Sequence, residues 1–96
     1  MAFAVFEVPG KEIPKATQAL NDDQVSRLTI IVKDGKSYGL ADGSQLVFVE
    51  GDDAKVARAK ELFGGFATLP KTQDQIRAKL MAEEDEAAGG VGFIFG

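Results

Sequence analysis

The chain has 96 residues, 45% apolar and 27% charged, with eleven basic and fifteen acidic side chains that give a net charge of −4. This length and composition predict one globular domain. The chain has no cysteine and no histidine, which excludes disulfides, thiolate catalysis, zinc–cysteine sites and iron–sulfur clusters and removes the commonest general base. The lack of cysteine also favours a reducing, cytoplasmic location.

The first predicted element is a strand from Phe3 to Val8. Its apolar side chains lie on both faces, which predicts a strand in the interior of a sheet. The segment has no positively charged start and its apolar run stops at Glu7, so it does not resemble a signal peptide. Pro14 suits the first turn of a short helix, whose inward stripe is Ala16, Ala19 and Leu20.

The segment that follows predicts an antiparallel meander of three strands. Leu28–Lys33 alternates in polarity and is rich in β-branched residues, as strands are. Asp34-Gly35 is a strong signal for a tight hairpin turn. Lys36–Leu40 is then the returning strand, and Gln45–Glu50 is the third strand of the meander.

Two further helices are predicted. Asp52 or Asp53 caps the first of them, Gly64-Gly65 ends it, and its buried stripe is Val56, Ala59 and Phe63. A short strand at 66–69 separates it from a last helix, which starts with the capping-box spacing of Thr72 and Gln75. That helix has a narrow apolar stripe, formed by Ile76, Leu80 and Met81, and a stripe this thin predicts a weakly anchored surface helix.

The element order β-α-β-β-β-α-β-α predicts an α+β fold, a two-layer sandwich with a mostly antiparallel sheet and the helices on one face. A ferredoxin-like core with an extra strand is the nearest arrangement. We expect residues 1–82 to form the globular domain and residues 83–96 to form a C-terminal tail that is first acidic and then rich in glycine and aromatic residues.

The tail holds the residues that we predict to contact a partner. All eleven basic side chains and eleven of the fifteen acids precede residue 83, so the net charge comes entirely from the acid block 83–86. Acids steer a partner electrostatically, and apolar side chains beyond them can fill its pockets. The alternative is a last strand of the chain's own sheet. The predicted contact residues are Glu83, Glu84, Asp85, Glu86, Phe93, Ile94 and Phe95.

The acid block and the final Gly92-Phe93-Ile94-Phe95-Gly96 resemble the C-terminal tails of archaeal and eukaryotic ribosomal stalk proteins, which also run from acids through glycines to an apolar end. The resemblance covers only the last fourteen residues. The predicted body differs, since stalk proteins begin with a helical dimerisation domain. The resemblance implies that a tail of this composition can serve as a docking peptide.

No other cluster of residues predicts chemistry. Asp42, Glu50, Asp52 and Asp53 are weak candidates for a metal site, because they lie close in sequence but lack the spacing of a calcium-binding loop. Helix capping and turn formation explain them more simply. No cofactor motif is present, and no carboxylate pair is marked as an acid–base couple.

Three functional hypotheses remain. We favour a non-enzymatic protein-interaction module, or a small subunit of a larger assembly, that uses the tail as its contact segment. A regulatory domain that binds a small ligand is the alternative, by analogy with ferredoxin-like folds, and an enzyme has the least support. Nucleic acid is not an expected partner, because an electrically neutral body with acidic residues at its end does not attract phosphates. No apolar run approaches the length of about 18 residues that would span a membrane.

Overall fold

A computed structural model describes the backbone of residues 2–88 and the side chains of residues 2–83. In this part of the chain, three helices pack on a three-stranded antiparallel sheet, which confirms the predicted α+β class. Three short 3-10 helices, at Gly10–Glu12, Val25–Arg27 and Gly35–Tyr38, lie in the connections. The strands are β1 (Ala2–Val8), β2 (Thr29–Asp34) and β3 (Gln45–Gly51), and the helices are α1 (Ile13–Leu20), α2 (Asp53–Phe63) and α3 (Gln73–Ala88).

The central strand of the sheet is β3, which pairs antiparallel with β1 on one side and β2 on the other. Glu50 lies opposite Phe3 of β1 and Thr29 of β2. The prediction that β1 is an interior strand is therefore wrong. It is apolar on both sides because helices cover both faces of the sheet, so that a strand at the edge still buries two sets of side chains.

One face of the sheet packs against α1 and α2. Phe6 of β1 and Phe63 of α2 stack with their ring centroids 4.4 Å apart, and Phe66 packs beside Phe63 at 5.3 Å. The predicted stripe of α2 is confirmed, since all three of its residues are buried. The buried residues of this first core are Ala4, Phe6, Val8, Ala16, Val25, Leu28, Val47, Val49, Val56, Ala59 and Phe63.

The opposite face packs against α3. Its buried residues are Val5, Leu46, Phe48, Ile76 and Leu80, with Phe3, Ile31, Tyr38, Leu40 and Met81 half-buried around them. Helices thus cover both faces of the sheet, and the predicted two-layer sandwich with helices on one face is not confirmed. The apolar stripe of α3 is as narrow as predicted, yet it fills a core of its own.

The predicted hairpin at Asp34-Gly35 is also wrong. The chain instead enters a 3-10 helix at Gly35–Tyr38 and returns to the sheet only at Gln45. The lack of a side chain at Gly35 lets its backbone approach that of Ser44. The Gly35 N–H donates to the Ser44 carbonyl oxygen at 2.9 Å, and a Cβ at this position would lie only 3.0 Å from that oxygen. The left-handed residue that ends the 3-10 helix is Gly39, with φ of 81°.

The short strand predicted at 66–69 is reduced to a single bridge in the structure. Thr68 pairs with Glu7 through two backbone hydrogen bonds of 2.8 and 3.1 Å on the outer edge of β1. The described residues therefore form three strands where the sequence predicted five. The alternative of a last strand in the C-terminal tail concerns residues outside the described part of the chain.

Candidate partner-contact site at the end of helix α3

Helix α3 carries the acid block near its C-terminal end. The backbone of α3 is helical through Ala88, so all four block residues, 83–86, belong to its last turns. Of their side chains, the structure describes that of Glu83, which is exposed. Phe93, Ile94 and Phe95, the other predicted contact residues, lie outside the described residues.

The electrostatics of this helix end are unfavourable. The carbonyl end of a helix carries a partial negative charge, so that acids there cost, and bases there gain, about 0.3–1 kcal/mol each. The last turn of α3 contains no basic residue that would offset this cost. Four acids together at the negative end of one helix form a local field that attracts cations.

A tyrosine contact attaches the end of α3 to the body. The Tyr38 hydroxyl donates a hydrogen bond to a Glu83 carboxylate oxygen. Lys79, one turn earlier on the helix, donates to the Ser37 carbonyl oxygen at 3.0 Å, and its Nζ lies 4.7 Å from the centroid of the Tyr38 ring. These contacts orient the last turns of the helix over the 3-10 segment that follows β2.

The environment of Tyr38 favours its neutral form. Burial, and after it the hydrogen bond from its hydroxyl to Glu83 and the negative charge of that carboxylate, raises the pKa of Tyr38 well above its ordinary value of 10.0. The phenol therefore keeps its proton and remains a donor to a higher pH than a tyrosine in water does. Sequence reasoning missed this contact, because 45 positions separate the two partners and no local pattern joins them.

A second attachment holds the first half of α3. Arg77 Nη2 donates to Glu50 Oε2 at 2.9 Å, and the guanidinium carbon lies 5.0 Å from the centroid of the Phe3 ring. Within the described residues, Arg77 Nε is buried without a hydrogen-bond partner. The orientation of α3 thus combines a narrow apolar stripe with the polar contacts of Arg77, Lys79 and Glu83.

The structure does not bring the four weak metal candidates together as one site. Asp42 Oδ1 lies 3.8 Å from Lys36 Nζ, and Glu50 pairs with Arg77. Asp52 accepts a hydrogen bond of 3.2 Å from the Ala54 N–H at the start of α2. Asp53 lies in the first turn of that helix. Among the residues that the structure describes, no group of three or more metal-ligating side chains occurs. Capping and pairing account for three of these acids.

A shallow cleft of about 530 Å³ lies between α1 and α2. Its one acid, Asp22, accepts from the Gln24 and Val25 N–H groups at 3.1 and 3.3 Å and pairs with Arg58 at 3.4 Å. Burial raises the pKa of Asp22, but these bonds and the charge of Arg58 together outweigh it, so that the net shift of the pKa is downward. The cleft is lined by Lys15, Gln18, Ala19, Asn21, Asp22, Leu62 and Phe66.

Comparisons with known proteins add no assignment. No protein-family model matches the chain, and neither a curated protein nor a solved structure matches it significantly. Among residues 2–88, none of the helices has both the length and the apolar character needed to cross a bilayer.

Proposed function

We propose that this chain is a protein-interaction module, or a small subunit of a larger assembly, that performs no catalysis and contacts a basic protein partner through residues 83–96. The observation that carries the proposal is the position of the acid block in the last turns of α3, which is attached to the body by Tyr38 and Lys79. A positively charged surface docked there would relieve the repulsion between the acids and offset the helix dipole at once.

The apolar residues after the block extend the same contact. Phe93, Ile94 and Phe95 supply the type of side chain that dominates binding energy when it enters a pocket. The acids would then set the rate and orientation of encounter, while the apolar residues would set the lifetime of the complex.

The alternative of a small-ligand domain has less support. The cleft between α1 and α2 is shallow, and the carboxylate of Asp22 bonds to other groups of the protein. A ligand site is expected to be concave and to have polar groups that converge on the ligand. In this cleft the one carboxylate, that of Asp22, bonds to the protein's own groups and so is not free to bind a ligand.

The test compares two variants of equal net charge. In the first, the block is neutralised by Glu83→Gln, Glu84→Gln, Asp85→Asn and Glu86→Gln. In the matched control, four exposed acids elsewhere are neutralised by Asp23→Asn, Asp34→Asn, Asp42→Asn and Glu61→Gln. The probe is a ten-residue oligolysine peptide ending in tryptophan, titrated at low salt and followed by amide chemical shifts.

We expect the natural chain to bind the peptide with shifts centred on the last turns of α3. Exposed charge pairs contribute about 0.2–1 kcal/mol each, so neutralising the block should weaken binding roughly tenfold, while the control variant should keep most of the affinity. An equal loss in both variants would reduce the effect to net charge and contradict the proposed site.

A further inference from the structure

The outer edge of β2 is an unoccupied pairing surface within the described part of the chain. One edge of β2 pairs with β3, and none of the strands in residues 2–88 pairs with the other edge. Val32 is 43% exposed there, and Ile30 and Ile31 are only half-buried. The edge therefore offers both free backbone groups and apolar side chains.

Such an edge is a template for another strand, and proteins protect it with charges, proline, bulges or a covering element. In β2 the charged side chains, Lys33 and Asp34, come only at the end of the strand, whereas Thr29–Val32 has none. Three of those four residues are large and β-branched, and so favour strand pairing. Thr29–Val32 therefore contains neither a charge nor a proline to protect the edge.

The direction of α3 shows how the chain that follows it would run relative to β2. Arg77 of α3 contacts Glu50, which lies opposite Thr29, the first residue of β2. Glu83, further along α3, contacts Tyr38, which lies just beyond the last residue of β2. The helix therefore runs in the same sense as β2, and a chain that turns back after Ala88 runs antiparallel to β2.

The sequence after Ala88 suits that return path. Gly89-Gly90 provides two residues that adopt turn conformations at no steric cost. The six residues 91–96 that follow equal β2 in length, and at about 3.3 Å per residue they can extend along the whole strand. Val91, Phe93 and Phe95 alternate with Gly92 and Ile94, which gives large side chains to both faces of the sheet.

We propose that residues 91–96 pair antiparallel with the outer edge of β2 in the same molecule, extending the sheet to the order β1-β3-β2-tail. The two-glycine connection makes the tail's effective concentration at its own β2 of the order of millimolar, so the same molecule is favoured over a second copy. The inference concerns the free monomer and does not depend on the basic partner proposed above. If both hold, that partner competes with β2 for the apolar residues.

The test uses the full chain with a single spin label. Because the natural sequence has no cysteine, Gly96→Cys gives one attachment site at the far end of the tail. In the paired arrangement this label lies next to the start of β2. We expect the amide signals of Thr29 and Ile30 to lose most of their intensity, and that of Asp34 to lose less.

A label at Ala88→Cys, at the described end of α3, is the matched control. It should broaden the Ser37 and Tyr38 signals wherever the tail lies, and so establishes that the labelling works. Mixing isotope-labelled natural protein with spin-labelled protein of natural isotope content then separates the two sources of a paired tail. We expect no broadening of β2 in that mixture.

Two results would overturn the inference. Undiminished Thr29 and Ile30 signals with the label at position 96 would show that the tail does not lie on β2. Broadening in the mixed sample would assign the edge to the tail of a second copy. Neither result depends on the oligolysine titration, so the two proposals can fail separately.

Discussion

Tyr38 is the ionisable residue whose pKa the fold raises most among the described residues. Burial is the largest cause, and the hydrogen bond from its hydroxyl to Glu83 and the negative charge of that carboxylate add to it. Because its pKa is higher in the folded chain than in the unfolded chain, the unfolded chain loses the phenolic proton first as the pH rises. The contribution of Tyr38 to stability is therefore complete below pH 10 and is lost as the pH rises toward the folded-state pKa.

This effect can be measured directly, since Tyr38 is the only tyrosine and the chain has no tryptophan. We expect the ultraviolet absorbance of phenolate to appear in the folded protein only well above pH 10, and at about pH 10 in the unfolded chain. The free energy of unfolding should fall over the same range.

Glu83→Gln separates the causes of the raised pKa. It removes the negative charge but keeps a hydrogen-bond acceptor, so the pKa of Tyr38 should fall only part of the way, because burial is the larger cause. Thr17→Val, on an exposed face of α1, is the control and should leave the titration unchanged. A normal titration of Tyr38 in the natural folded protein would mean that α3 does not dock on the 3-10 segment.

At the scale of elements, α3 depends on very few apolar contacts. Ile76 and Leu80 are 3% and 1% exposed and are the helix's only fully buried side chains among residues 73–83. We expect Leu80→Ala to cost about 2–5 kcal/mol and to increase the rare local opening of α3, while global unfolding remains a single step. Amide hydrogen exchange should show faster exchange in α3 while the amides of α2 remain protected.

Met81→Ala is the matched control for this prediction. Met81 is half-buried at the edge of the same cluster, so that its truncation removes less packed volume and should cost clearly less than Leu80→Ala. Equal costs for the two variants would contradict the packing of α3 described above.

The elements that the sequence predicted well are those with local signals. The strand ending at Val8, the helix beginning near Asp53 and the helix carrying Ile76 and Leu80 all appear close to their expected bounds, because periodicity and capping are read within one or two turns. The dipeptide Asp34-Gly35 gave a wrong prediction of a hairpin turn, because the glycine instead allows a backbone hydrogen bond between Gly35 and Ser44. That contact belongs to the tertiary structure and has no local pattern.

The candidate site was predictable in composition but not in setting. The charge count alone located the acid block at 83–86. Its inclusion in a helix, and the attachment of that helix through Tyr38 and Arg77, follow from contacts between distant segments. The apolar stripe of a helix also does not indicate which face of a sheet the helix covers. The second core, on the α3 side of the sheet, therefore could not be inferred from the sequence.

At the scale of the whole molecule, the sheet separates two cores that should respond independently. Val56 of α2 belongs to the first core and Leu80 of α3 to the second. We expect the costs of Val56→Ala and Leu80→Ala, measured by urea denaturation, to add in the double variant within about 0.5 kcal/mol. Combining Leu80→Ala with Ile76→Ala, within one core, should deviate from additivity by more.

Strong coupling between Val56 and Leu80 would contradict this expectation. It would mean that the sheet transmits repacking from one face to the other, and that the two clusters behave as one core. The test requires that each single variant still unfolds in one step, which the coincidence of circular dichroism and fluorescence-probe transitions can establish.

The central place of β3 has a consequence for the growing polypeptide on the ribosome. Ala2 pairs with Gly51 and Val8 with Gln45, so β1 emerges from the exit tunnel well before its partner β3 does. At roughly 5–20 residues added per second, an apolar heptapeptide waits for several seconds without a partner. A chaperone that binds extended apolar segments can bind β1 during that interval, which ends when β3 emerges from the tunnel.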